Sequence, residues 1–276
     1  MSMTDLPDTA LAPDLNGNAA APPYVYALGR IESRCPSLEV EKELAQVMGR
    51  SETAGLTDRQ ALHEVFSDRQ NRYLVRQMNW ILKIEGLETY LLTPRDPGDF
   101  DLLVEAARPS PRSTDIDVVI GVKGPVAPPE VANGLMVPMV AFDQIYSFDI
   151  DALMESIPRP DDVPASEFQL SSEELFSRLV QLADNAGATD EHRALNYLAV
   201  RYPTIYAETA RAYGRNQSLS GVEVRPSRLS GARTIVDVIF SFTHRGTDVT
   251  ESFFTRVDVT GQFPFLVTKL SPYFRR

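Results

Sequence analysis

The sequence predicts an α+β chain: a mixed sheet with flanking helices, followed by a helical segment and an antiparallel β meander. Three observations predict it. Residues 23 to 157 alternate short apolar runs with amphipathic stretches, residues 171 to 215 carry three helical patterns in succession, and the remainder alternates strand runs with glycine turns.

Residues 1 to 22, MSMTDLPDTALAPDLNGNAAAP, lack periodicity and read as a disordered tail. Order begins at Pro23, where YVYALGRIES has the aromatic and β-branched start of a strand. Pro36 and Ser37 then open a helix over LEVEKELAQVMGR, with Leu38, Leu44, Val47 and Met48 near helical spacing and Gly49 as its stop. LTDRQALHEVFSD repeats the pattern, with Thr57 as N-cap and Leu62, Val65 and Phe66 on one face. The apolar runs Trp80 to Ile84 and Leu87 to Leu92 flank Glu85-Gly86 and read as a hairpin or bent strand pair. Asp99 to Ala107 reads as a short helix. DIDVVIGVKG and LMVPMVAFDQIYSFD are further strands, and Pro138 in the second belongs at an edge or bulge because it cannot donate to a ladder.

IPRPDDVPASEFQ, with three prolines, reads as a linker, which places residues 23–157 in one α+β domain, 158–170 in the linker and 171–276 in a second unit. That unit opens with SSEELFSRLVQLADNAG, capped by Ser171 or Ser172 and stopped by Gly187. TDEHRALNYLAVRY follows, capped by Thr189 or Asp190, and then TIYAETARAYGR after Tyr202-Pro203. The segment from Gly221 to Gly261 reads as a three-stranded antiparallel meander.

Composition narrows function. The 276 residues contain 43% apolar side chains in short runs, so no segment reaches the eighteen or so consecutive apolar residues of a membrane span. The N-terminus has no basic region followed by an apolar one, and Cys35 is a lone cysteine, so the expected setting is a reducing cytoplasm without a disulfide framework. A net charge of -11 argues against a nucleic-acid partner. That charge is unevenly spread: residues 201–276 hold eleven Lys plus Arg against six acids, a net of +5, which leaves -16 for residues 1–200. Such polarity steers an oppositely charged partner or orients subunits.

Catalytic signatures are missing. There is no G-x-S-x-G, P-loop or dinucleotide fingerprint, and His63, His192 and His244 share no metal-ligand spacing with one another or with Cys35. No cofactor and no metal are therefore expected. His244 at a strand end and the alternating Asp115 and Asp117, which share one strand face, are the places where acid–base chemistry would be sought. A softer signal lies near the C-terminus, where Arg225, Arg228, Arg233, Arg245 and Arg256 interleave with Phe240, Phe242, Phe253 and Phe254; the arginines with Phe240, Phe242 and Phe254 are the candidates for the peptide site. A sheet so built can take an extended peptide along an edge, the backbone ladder giving affinity and side-chain pockets selectivity. The same pattern also describes core phenylalanines with wet arginines on the outer face.

The stretches YVYALGRIESRCPSLEVEKELAQ, GLTDRQALHEVFSDRQNRYLVRQMNWILKIEGLETYLLTPRD, DIDVVIGVKGPVAPPEVANGLMVPMVAFDQIYSFD and LADNAGATDEHRALNYLAVRYPTIY resemble the C-terminal domain of unknown function of PatG-type cyanobactin maturation proteases, over about residues 23–276. The resemblance implies a role in handling a ribosomally made precursor peptide, as in the peptide-binding proteins of the crocagin pathway. It carries over no catalytic residue, and the extra cysteines of some members are missing here. The expectation is a non-enzymatic, homodimeric protein that binds the precursor peptide and presents it to tailoring enzymes. An enzyme acting on the peptide and a scaffold for a pathway enzyme are the alternatives.

Overall fold

The computed structural model describes residues 23–49, 55–109, 115–148, 155–180 and 185–274. The expected disordered tail, residues 1–22, lies outside them. Among the described residues, seven α-helices and nine strands form an α+β fold with two sheets.

The first sheet is built around β1 (Tyr24–Arg34). Its first half, Tyr24 to Gly29, pairs antiparallel with β4 (Ile116–Val126), and its second half, Arg30 to Arg34, with β2 (Asn79–Ile84). The hand-over falls at Gly29, where a Cβ would lie 2.3 Å from the carbonyl oxygen of Lys83, so the close approach of the strands requires glycine. β2 turns into β3 (Leu87–Pro94) through Glu85 and Gly86, both left-handed (φ 50° and 81°), the two-residue turn whose twist suits a hairpin. β3 pairs parallel with β5 (Pro138–Phe148), and β5 pairs antiparallel with β4. The mixed sheet therefore closes on itself as a five-stranded barrel, β1-β2-β3-β5-β4. Pro138 sits at the first position of β5 beside a break in register, where its missing N–H costs nothing.

Alternation along the strands divides two cores. Val25, Ala27, Ile31, Trp80, Leu82, Tyr90 and Leu92 pack with four helices, α1 (Leu38–Met48), α2 (Asp58–Ser67), α3 (Arg72–Gln77) and α4 (Phe100–Ala106). Ser37 caps α1 by accepting the Val40 N–H, and Thr57 caps α2 in a reciprocal box with Gln60. Tyr26, Leu28, Val118 and Ile120 point the other way, into a core shared with α5 (Ala165–Val180), α6 (Asp190–Arg201), α7 (Thr204–Gly214) and the second sheet. That sheet is a four-stranded meander, β6 (Gln217–Pro226), β7 (Ile235–His244), β8 (Thr250–Asp258) and β9 (Phe265–Pro272), one strand longer than the sequence suggests.

The expected linker is a correction. α5 begins at Ala165, Ser171 and Ser172 are buried inside it rather than capping it, and Ile157, Val163 and Phe168 lie in the common core. The prolines that read as a linker shape the entry to this helix: the Phe168 N–H bonds the Pro164 carbonyl at 3.0 Å, one turn back. Residues on both sides of 158–170 contribute to one hydrophobic cluster.

α6 lies between the barrel and the meander. Toward the barrel, the Asn196 amide donates to the Tyr26 carbonyl (2.8 Å) and exchanges hydrogen bonds with Asn185 (2.8 and 3.1 Å). Beside it Gly187, at φ 70°, accepts the Tyr26 N–H, and a Cβ there would lie 2.3 Å from the Tyr26 oxygen. Toward the meander, the buried Arg193 donates to the carbonyls of Val259 (2.8 Å) and Gly261, with Asp190 3.4 Å away. Its guanidinium also covers the Tyr24 ring at 5.2 Å. Removing it strands buried carbonyl oxygens. We expect Arg193→Met to lower the unfolding free energy by about 2–4 kcal/mol, read as a reduced urea midpoint with an unchanged slope.

Candidate functional site

The meander has a core face and an outer face, and alternation assigns each predicted residue to one of them. On β7, Val236, Val238, Phe240 and Phe242 enter the core, and Phe242 meets the Phe253 ring edge-on at 6.1 Å. Phe240 and Phe242, each 1% exposed, therefore line no peptide site, which corrects the expectation for both. Their place in β7 at even spacing, opposite α6, is the reason.

The outer face is organised in cross-strand rows. One row runs Arg225, Asp237, Arg256, and the next Glu223, Ile239, Phe254, Ser271. Asp237 accepts from Arg256 Nε at 2.9 Å, and the Arg256 guanidinium lies 4.8 Å from the Phe254 ring centre. Arg225 donates to the Tyr273 hydroxyl at 2.8 Å and stacks on its ring, which packs edge-on against Phe254 at 5.8 Å. The structure thus brings Arg225, Phe254 and Arg256 together and adds Asp237, Glu223 and Tyr273. Tyr273 could not be picked from sequence, because its place depends on β9 turning back along β8. The rest of the face is a ladder of hydroxyls in which Ser241 meets Ser252 at 3.0 Å and Thr243 meets Thr250 at 2.9 Å.

The remaining arginines are spread. Arg228 and Arg233 lie in the β6–β7 connection, where Arg233 Nη1 is 3.5 Å from Asp258, and Arg245 lies beyond the opposite end of β7, over the Tyr213 ring at 5.4 Å. Ten strand residues separate the two groups, roughly 30 Å. Arg245 therefore stands apart from Arg225 and Arg256, whereas Arg228 and Arg233 lie at the end of β7 where Asp237 pairs with Arg225 and Arg256.

β9 forms one margin of this sheet. It pairs with β8, and among the described residues no strand pairs with its other side. Phe265 and Val267 are 49% and 37% exposed along it, with Phe263 just before (51%) and Phe274 just after (82%). Natural edge strands are usually blunted by charge or by proline. Here Lys269 is the one charged residue within the strand, and Pro272 stands at its end.

The candidate acid–base groups fall elsewhere. His244 Nδ1 accepts the Gly246 N–H at 3.1 Å within a tight turn, while His63 and His192 lie on α2 and at the start of α6. Asp115 and Asp117 do line one cavity, with Arg30, Arg59, Arg108 and Ser147, but its volume is about 10 Å³. That holds a single water and no substrate. Asp117 accepts the Ile31 N–H at 2.8 Å, and Arg59 donates to the carbonyls of Ala106 (3.0 Å) and Arg108 (3.1 Å). The cluster is a polar seam between β1, α2 and α4. Among the described residues, no three His, Cys, Asp or Glu side chains converge as a metal site, and no helix is long and apolar enough to cross a membrane.

Burial raises the Asp117 pKa from 3.8 to about 6, against the opposing pull of Ser147, the Ile31 N–H and the two arginines. The fold therefore favours the protonated acid. Its contribution to stability is complete below pH 3.8 and is lost as pH rises through about 6. The loss is on the order of 3 kcal/mol. Asp117→Asn keeps the acceptor for Ile31 without the titration. The stability difference between this variant and the wild type should grow in the variant's favour from pH 4 to pH 7, checked by thermal melts across that range.

Residues 162–273 match the PatG C-terminal family. A solved structure of the PatG domain of unknown function superposes with a TM-score of 0.74 at 19% identity, over 91% of this chain and 98% of that one. No curated protein is significantly similar in sequence. Residues 162–273 are thus similar in sequence to the PatG C-terminal family, and the likeness of the rest of the chain is one of fold.

Proposed function

We propose that this chain is a non-enzymatic, homodimeric peptide-binding protein of the cytoplasm, which captures a ribosomally made precursor peptide and presents it to tailoring enzymes. The observation that carries the reading is the apolar, unpaired margin of β9 lying next to the Arg225, Arg256, Phe254 and Tyr273 cluster. A peptide adding a strand there would pair with β9 toward its Phe265 end, since the Leu270 N–H is already held by the Tyr202 hydroxyl at 2.8 Å, and would set alternate side chains against Phe265 and Val267. Arginine and tyrosine are the side chains that most often dominate the energy of such contacts.

Charge favours a peptide over a second copy at this edge. Residues 201–276 carry a net +5, so pairing two β9 edges would bring like charges together, whereas a peptide with acidic residues complements them. The subunits of the dimer would join through other surfaces. An enzymatic role draws no support from Asp115, Asp117 or His244, whose surroundings are a cavity of about 10 Å³ and a turn.

The test is calorimetry with a ribosomal precursor peptide bearing acidic residues, followed by mass spectrometry of the same sample after overnight incubation. Saturable binding with unchanged mass is expected, and the double variant Phe265→Asp/Val267→Asp should weaken it at least about tenfold, or about 1.4 kcal/mol. A changed peptide mass would replace this reading with an enzymatic one, and binding unaffected by the double variant would move the site off β9.

A further inference from the structure

A second surface, on the helices covering the barrel, has a chemistry that the fold does not require. Arg69, Arg72 and Arg76 follow one another at spacings of three and four along the 3-10 turn Arg69–Asn71 and α3, so they share one helical face. Opposite them stand Pro97, Gly98, Phe100 and Asp101, at the start of α4. Between the two walls is an open cleft of about 390 Å³, within the size range of ligand sites.

Its charge is unbalanced. Arg72 Nη1 lies 2.5 Å from Asp101, but among the described residues neither Arg69 nor Arg76 has an ion-pair partner. Three guanidiniums line the cleft against one lining carboxylate, with the Asp96 carboxylate turned to the Gly98 N–H beside it, so Arg69 and Arg76 are left without a direct ion pair among the described residues. Like charges at these spacings weaken a helix, and α3 has only six residues and no side-chain cap. Packing does not demand them either, because α3 is anchored by the fully buried Leu74 and Val75.

The lining discriminates among anions. Pro97 has no N–H, the Gly98 N–H is taken by Asp96 Oδ1 at 2.7 Å, and the Asp99 N–H by the Asp96 carbonyl at 2.9 Å. The turn therefore lacks the cluster of free backbone N–H groups that cradles phosphate. What remains is guanidinium forks, which match carboxylates and phosphates alike, beside the apolar surfaces of Pro97 and Phe100, which suit an anion carried on an apolar chain better than a free inorganic one. The geometry points to a binding site for an acidic peptide segment, two carboxylates taken by Arg69 and Arg76 with an intervening apolar side chain against Phe100. It uses no residue of the meander and stands independently of the reading for β9.

Fluorescence anisotropy with a labelled Gly-Glu-Leu-Glu-Gly peptide tests it, with the Gln-for-Glu peptide and inorganic phosphate as comparisons. The Glu peptide should bind saturably, the Gln peptide at least about tenfold more weakly, and Arg69→Glu/Arg76→Glu should weaken binding by at least about tenfold at an unchanged melting temperature. Phe265→Asp/Val267→Asp should leave it unchanged. No saturable binding, equal binding of the Gln peptide, loss through the β9 variant rather than the arginine variant, or displacement by phosphate at concentrations matching the peptide's own affinity would each overturn the proposal.

Discussion

The fold depends on α6 being held on both sides at once. A helix with solvent on one face can drift against its sheet, but this one carries an amide to the backbone of β1 and a guanidinium to the carbonyls after β8. Both polar groups are buried, so each bond, once lost, leaves a desolvated acceptor rather than a hydrated one. The two sheets are thereby fixed relative to each other by hydrogen bonds that have direction, where the surrounding Leu195, Leu198 and Ala199 contacts alone would permit sliding. β1 shares the constraint. Its alternate residues serve separate cores, so a one-residue slip would exchange Tyr26 with Ala27 and disrupt both.

That arrangement decides which surfaces are left for recognition. The core face of the meander is spent on α6, which is why Phe240 and Phe242 are unavailable. The barrel is closed and has no free edge. Backbone left for pairing is then found at the margins of the meander, and at β9 it coincides with exposed aromatic and β-branched side chains. Asp237 between Arg225 and Arg256 partly neutralises the adjoining face.

Local chemistry was readable from the sequence, and closure was not. Ser37, Thr57 and Thr189 announce their helices because capping is a short-range bond, and Glu85-Gly86 announces its hairpin for the same reason. Barrel closure depends on β3 meeting β5 in parallel across more than forty residues, and no local signal encodes that pairing. Residues 158–170 look like a linker because their prolines are dense, while the core positions Ile157, Val163 and Phe168 span a turn and a helix and fit neither period. For the candidate site, sequence placed Arg225, Phe254 and Arg256 on the same sheet, but could not say which aromatics face out, since one residue of register inverts the answer.

Arginine content alone is a poor guide to function here. The chain has 23 arginines and four lysines, and many of the arginines are structural ties: Arg59 and Arg193 hold carbonyls, Arg95 and Arg256 hold carboxylates, and Arg201 covers the Tyr146 ring at 4.4 Å. The planar fork explains that use, because it satisfies several acceptors at little loss of freedom per bond. Arginines answered by such acceptors have a sufficient reason to be where they are. Arg69 and Arg76 have no ion pair among the described residues, stand together on one helical face, and border a cleft with an apolar wall. The net -11 of the chain tolerates positive charge at that face, and the two guanidiniums left without a direct ion pair are the groups an anion brought to the cleft would meet.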